Sequence, residues 1–278
     1  MSFSIAGKTA IVTGAANGVG LAIARHFAEQ GANVMGVDRD EERLIAEFGE
    51  NPNIEDDPPA EGGALRYFAG DLRERLTIAN LLSASVDAYE RVDILVNASR
   101  QVLPTDPLDC EDTSLEILLE QNLLAGLRLS QQVALRMIRQ AEALDEEARP
   151  NTLGAIVNLS SIAASRTGPE LMGFSIASAA LDQATRSLAV ALAPHRIRVN
   201  AVALGSVMSA SLRDGLRATP QLRDAIEAAT PLGRIARAAE VAEVAQFLAS
   251  DGAGFVTGQV VNVDGGRSLM DVVQAPLH

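Results

Sequence analysis

Lys8-Thr9-Ala10-Ile11-Val12-Thr13 is a short β-branched run, and Gly14-Ala15-Ala16-Asn17-Gly18-Val19-Gly20 follows it directly, opening into Leu21-Ala22-Ile23-Ala24-Arg25-His26-Phe27-Ala28. The order is strand, tight turn, helix. Glycines in such a turn let the backbone approach a pyrophosphate, and the free amides and dipole at the helix start favour its negative charge. A second strand, Asn33 to Val37, ends in Asp38, about 20 residues after the glycines, where a carboxylate would bond the ribose hydroxyls of an adenosine. A glycine turn alone also suits a plain strand-to-helix connection; the carboxylate at this distance favours a nucleotide.

Strand-like and helix-period segments alternate through most of the remaining chain, the pattern of parallel β-α-β units with helices on both sheet faces. A short helix is expected from Asp40 to about Phe48, then a surface loop from Gly49 to Gly63, rich in Pro, Gly and acidic residues. Further strands are expected at Ala64 to Phe68, Val92 to Val96 and Gly154 to Ser161, with helices from Glu74 to Tyr89 and from Ser114 to Arg139. The second of these helices carries an apolar stripe at Leu115, Leu118, Leu119, Leu123, Leu127 and Val133. Ala141 to Pro150 reads as a solvated insertion, Ser211 to Thr230 as a mobile helical lid, and Ala239 to Ser250 as an amphipathic helix.

At 278 residues and 47% hydrophobic content the chain can bury one large core, so one domain is expected. No run of eighteen apolar residues occurs and the first residues lack a signal-peptide pattern, which points to the cytoplasm. The single cysteine, Cys110, excludes an internal disulfide framework, and three scattered histidines give no metal-ligand spacing. A net charge of −13 argues against nucleic acid or an anionic membrane as partner.

Thr13, Gly14, Gly18 and Gly20 match Thr-Gly-x-x-x-Gly-x-Gly, and on them the chain resembles the short-chain dehydrogenase/reductase family. The resemblance runs from about residue 5 to 268. It implies a single-domain Rossmann fold, a doubly wound seven-stranded parallel sheet with helices on both faces. It also implies a dinucleotide site formed by Gly14, Asn17, Gly18, Val19, Gly20, Asp38, Asp71, Leu72, Asn97, Gly205 and Ser209, with NAD expected over NADP because Asp38 repels a 2′-phosphate. Gly258 to Gly266 resembles the closing strand and turn. Where the family shows Asn-Asn-Ala-Gly, this chain has Asn97-Ala98-Ser99-Arg100.

The family's catalytic set maps onto Ser161 and Asn122, but its tyrosine position holds Phe174 and its lysine position Ser178. The register is fixed by Ser175, Ala177, Ala179, Ala180 and Leu181 around the gap. In a classical member the tyrosine O–H handles the proton while hydride moves, and the lysine lowers its pKa. Phenylalanine keeps the ring and loses the proton. Tyr67 and Tyr89 are the only tyrosines and Lys8 the only lysine, none placed to substitute.

Three functions follow as expectations. The first is a catalytically degenerate NAD-binding subunit in a homo- or hetero-oligomer, favoured as a mixed dimer or tetramer with an active relative. The resemblance implies association through the long helices carrying Asn122 and Ser178, where Ala177, Leu181, Ala184, Leu188 and Ala191 offer a small-residue face. The second is an NAD-dependent alcohol dehydrogenase or ketone reductase whose proton moves by a non-classical route. The third is an NAD-sensing module. Arg100 and Arg166 both follow strands at the ligand edge, where each would be an ordinary surface arginine or a holder of an acidic group.

Overall fold

The computed structural model describes residues 3–49, 64–148, 150–219 and 221–271. Seven parallel strands form one sheet in the order β3-β2-β1-β4-β5-β6-β7. They are β1 (Thr9–Thr13), β2 (Asn33–Asp38), β3 (Leu65–Ala69), β4 (Ile94–Asn97), β5 (Gly154–Ser161), β6 (Ile197–Leu204) and β7 (Val260–Val263). The chain runs outward from β1 to β3, then returns to pair β4 against the other side of β1, with Ile11 opposite Leu95. That reversal opens a crevice beyond the carboxyl ends of β1 and β4, the usual ligand place in such sheets.

Alternate residues of the central strands feed two separate cores. Ala10, Val12, Ile94, Val96, Val157, Leu159 and Val202 pack on one face, with Ile23, Ala24 and Phe27 of helix α1 (Gly18–Glu29). Ile11, Leu95, Ile156 and Val199 pack on the other, with Ile78 and Leu81 of α3 (Arg75–Tyr89). Because both faces are covered, these strands carry apolar residues without a polar alternation. The doubly wound sheet expected from the resemblance is the one observed.

Between α1 and α3 lies α2 (Glu41–Phe48), whose start is capped by the Asp40 carboxylate accepting from the Arg43 amide. The expected loop lies outside the described residues from 50 to 63. The long helix expected from Ser114 to Arg139 is interrupted: α4 (Ser114–Leu119) passes through a π-helical turn at Glu120–Leu124 into α5 (Ala125–Glu142). The core positions change accordingly. Leu118 and Val133 of the expected stripe are buried, whereas Leu115, Leu119, Leu123 and Leu127 are half-buried and Ala125, Leu129 and Met137 take the core instead. Within the expected insertion, α5 extends to Glu142 and a 3₁₀ turn covers Glu146–Ala148.

Helix α6 (Met172–Leu192) divides the expected small-residue face: Ala177 and Leu181 are buried within the chain, Ala184 and Leu188 are half-buried and Ala191 is exposed. Ile176, Ala179, Gln183, Arg186, Ser187 and Val190 are exposed beside it. The lid segment holds α7 (Ala210–Ala218) and α8 (Gln221–Ala228), and α9 (Ala238–Ala249) packs on α1 before β7. Among the described residues no helix is long and apolar enough to cross a membrane, and no cluster of His, Cys, Asp or Glu is arranged to hold a metal.

Candidate active site

A cleft of about 810 Å³ lies over the carboxyl ends of the strands. The glycine turn forms its floor. Gly14 and Gly18 have φ of +69° and +59°, a left-handed backbone that favours glycine. A Cβ on Gly14 would stand 2.9 Å from the backbone of Ala98 and Ser99, so the loop after β4 rests directly on the turn. Thr13 holds that loop in place: its Oγ1 accepts from the amides of Ala98 and Ser99, both at 3.0 Å.

Gly14, Asn17, Gly18, Val19, Gly20, Asp38, Asp71, Leu72, Gly205 and Ser209 all line the cleft. The bare glycine floor, the amide-bearing start of α1 and the carboxylates at one arm fit the adenosine and pyrophosphate of a dinucleotide. Asp38 Oδ2 accepts from the Ala16 amide at 3.2 Å, and Oδ1 accepts from the amides of Arg39 and Asp40 at 2.8 and 3.2 Å. A carboxylate has about four lone-pair sites, so ribose hydroxyls still find acceptors. Asp71 is held below the ordinary carboxylate range chiefly by its side-chain hydrogen bonds from Arg73.

Asn97 is the exception. Its side chain turns inward, where Nδ2 donates to Ser130 Oγ at 2.9 Å and to Asn158 Oδ1 at 2.8 Å. It lines a separate cavity of about 20 Å³, and its buried Oδ1 has no hydrogen-bond partner. That volume suffices for one water molecule beside this oxygen.

The four residues of the expected catalytic set are each bound locally. Ser161 Oγ accepts from the Ala163 amide at 3.1 Å, capping a 3₁₀ turn. Asn122, inside the π-turn, clasps the backbone of Gln101: Oδ1 accepts from its amide at 2.7 Å and Nδ2 donates to its carbonyl at 2.8 Å. Phe174, 6% exposed, packs in an apolar cluster with Leu118, Ala163 and Ala177. Ser178 Oγ donates back to the Phe174 carbonyl at 2.8 Å. None of the four can titrate near neutral pH.

The other candidate proton carriers lie elsewhere. Tyr89 donates to the carbonyls of Val34 and Ala64 at 3.0 Å, and burial pushes its phenol above the ordinary value. Tyr67 is half-buried on β3, packed against the first core. Lys8 pairs with Asp251 at 2.7 Å, before the start of β1 and so at the opposite edge from the cleft.

The overall fold agrees with that of known proteins. The family model described as Enoyl-(Acyl carrier protein) reductase matches residues 14–268. The chain belongs to the short-chain dehydrogenase/reductase family. The 3-oxoacyl-[acyl-carrier-protein] reductase of Thermotoga maritima is 32% identical, over 94% of this chain and 97% of its own. The cis-4-hydroxycyclohexanecarboxylate dehydrogenase of Sinomonas cyclohexanicum is 35% identical, over 97% of this chain and all of its own. Among solved structures, a 7α-hydroxysteroid dehydrogenase complexed with NADH and 7-oxoglycochenodeoxycholic acid superposes with a TM-score of 0.82 at 28% identity, covering 95% of this chain and 96% of its own.

The short-chain dehydrogenase/reductase fold also separates the two strand-end arginines. Arg166 leaves the cleft: its Nε and Nη2 donate to the Ser268 carbonyl at 3.0 and 2.6 Å, tying the segment after β5 to the chain beyond β7. Arg100 lines the cleft and donates from Nη1 to the Ser160 carbonyl at 3.4 Å. Gln121 also lines it, its Nε2 donating to Ser99 Oγ at 3.0 Å. Sequence reasoning passed over Gln121 because the turn that presents it has no distinguishing composition.

Asp182, one turn beyond Ser178, is buried with Oδ1 unpartnered. Desolvation raises its pKa, against smaller lowering by a Ser160 hydrogen bond and by Arg186. A carboxyl with a raised folded pKa binds its proton more tightly when folded, so its contribution to stability falls as pH climbs from the unfolded value to the folded one. Asp182→Asn should therefore stabilise the chain by about 1 kcal/mol at pH 7, the scale of an unsatisfied buried group. Urea denaturation at several pH values checks this; the gain should shrink below about pH 4.

Proposed function

We propose that this chain is an NAD(H)-binding short-chain dehydrogenase/reductase homologue without the tyrosine–lysine proton transfer, serving as a degenerate subunit beside an active member of the family. Phe174 carries this reading. Its ring fills an apolar pocket, and the serine one turn later spends its hydroxyl on the Phe174 carbonyl. When bound, the dinucleotide supplies or takes a hydride; the proton that must accompany it has no donor of suitable acidity among Ser161, Asn122, Phe174 and Ser178. Losing general acid–base catalysis costs about 10²- to 10⁴-fold, which reduces turnover to a trace.

The outer face of α6 supports the pairing. Ile176 and Val190 stand 43% and 78% exposed at its two ends, a surface that a partner helix would cover. Affinity purification of the chain from its source, followed by gel filtration and mass spectrometry, tests the proposal. A co-eluting family member in stoichiometric amount, with Tyr and Lys in place, is the expected result. A homo-oligomer that turns over ketones by itself, and loses that activity on Ser161→Ala, would overturn it in favour of a non-classical enzyme.

Asp38 sets the cofactor. Its carboxylate stands at the end of β2, where a 2′-phosphate would meet like charge. Titration should give NADH an affinity at least about tenfold above NADPH, with Asp38→Ala narrowing the difference. Comparable affinities in the wild type would remove NAD as the preferred cofactor.

A further inference from the structure

One charge in the cleft has no part in the function proposed above. Arg100 takes the position after β4 where the family carries glycine, and its only described hydrogen bond is the long one, 3.4 Å, to the Ser160 carbonyl at the end of β5. No carboxylate among the described residues lies within ion-pair distance of it. The cleft's acids are engaged at the other arm: Asp40 with Arg43, Asp71 with Arg73, and Asp38 with three backbone amides. Asp264, behind Gly205, has its oxygens held by the amides of Gly266 and Ser268 at 2.9 and 2.8 Å. The Arg100 side chain keeps surface open to the cleft, yet the protein around it lowers its pKa from the ordinary value by desolvation. Guanidinium starts so high that it stays charged.

The direction of a bound dinucleotide follows from the cleft. With adenosine at Asp38 and pyrophosphate on the glycine turn, the second half enters the remaining arm, which Arg100 lines together with Leu159, Gly205 and Val207. The oxidised nicotinamide ring carries a formal positive charge and the reduced ring carries none. Like charges a few ångströms apart in a protein-walled cleft repel far more than they do in water. We infer that Arg100 makes the cleft selective for the reduced dinucleotide, its unpaired guanidinium rejecting the cationic ring and accepting the neutral one.

The inference rests on the proposal that the chain binds a dinucleotide at all. A subunit that holds NADH and refuses NAD⁺ takes up its ligand according to the redox state of the pool, without chemistry of its own.

Isothermal titration of wild type, Arg100→Met and Arg100→Gln with NADH, NAD⁺ and ADP-ribose tests it. Methionine keeps most of the apolar stem while removing the charge. Wild type should bind NADH at least about tenfold more tightly than NAD⁺, about 1.4 kcal/mol. ADP-ribose, which lacks the ring, should bind more tightly than NAD⁺. Both variants should bring NADH and NAD⁺ within about threefold while leaving ADP-ribose affinity unchanged, and salt should narrow the wild-type ratio. Arg166→Met, whose arginine points away from the cleft, should keep the full ratio. A ratio that survives both Arg100 substitutions, or wild type that binds NAD⁺ as well as NADH, overturns the inference while leaving dinucleotide binding intact. Failure of ADP-ribose and both dinucleotides to bind wild type overturns the binding proposal itself, and the inference with it.

Discussion

Gly20→Ala should abolish nucleotide binding, weakening NADH by at least about 100-fold, and destabilise the fold by about 3 kcal/mol, the upper part of the usual range for overpacking. A Cβ on Gly20 would stand 2.1 Å from the Gly14 carbonyl oxygen and 2.6 Å from its carbon. Both are backbone atoms, so relief requires moving the turn that forms the cleft floor. Gly18 supplies the control. A Cβ there meets nothing nearer than Ser209 Cβ at 3.7 Å, but φ is +59°, so Gly18→Ala costs only the left-handed conformation, about 1–2 kcal/mol. Titration with NADH and chemical denaturation of both variants separate crowding from conformation. Native affinity in the Gly20 variant would show that the nucleotide does not rest on this turn.

The second large effect is a gain. Phe174→Tyr with Ser178→Lys should raise NADH-dependent carbonyl reduction about 10²-fold or more over the wild-type trace, because the pair returns a proton donor and the cation that lowers its pKa. Either substitution alone should do little: tyrosine without lysine stays too weak an acid, and lysine without tyrosine has no proton to steer. The double variant should also be less stable, since a hydroxyl enters an apolar pocket and an ammonium replaces a serine that is 5% exposed. A panel of ketones and 3-oxoacyl thioesters suits the assay, given the carbonyl chemistry named for several relatives. Wild type matching the double variant would mean that the chain has another proton route, and would end the degenerate-subunit proposal.

Most of the fold was legible because its signals are local or strictly periodic. Gly14, Gly18 and Gly20 fix a turn by conformation and close approach, and the apolar runs of the strands announce burial on both faces. The lining of the candidate site was legible where the backbone sets the position, as with Asp38 and Ser209 at element ends. It failed where a side chain chooses among distant partners. Arg166 and Arg100 look alike in sequence, yet one reaches a carbonyl 102 residues away and the other crosses to Ser160. Likewise, the period of Ala177 and Leu181 marks a packed face without saying whether the partner is this chain or another; the structure buries these two in the chain's own interior and leaves Ala191, further along the same face, exposed.

The π-turn at Glu120–Leu124 acts as a phase converter. A helix keeps one azimuth toward its neighbours only while each residue advances it by 100°, and a π-turn in effect slips one extra residue into that count. Upstream, Leu118 points at Phe174 and Ala177 of α6; downstream, Leu129, Val133 and Met137 point at the sheet. Removing one residue from the turn would realign the halves and rotate one of these two contact sets out of place. The same slip brings Asn122 onto Gln101 and Gln121 onto Ser99, so the loop beneath Arg100 is held by a helix that serves two cores in turn.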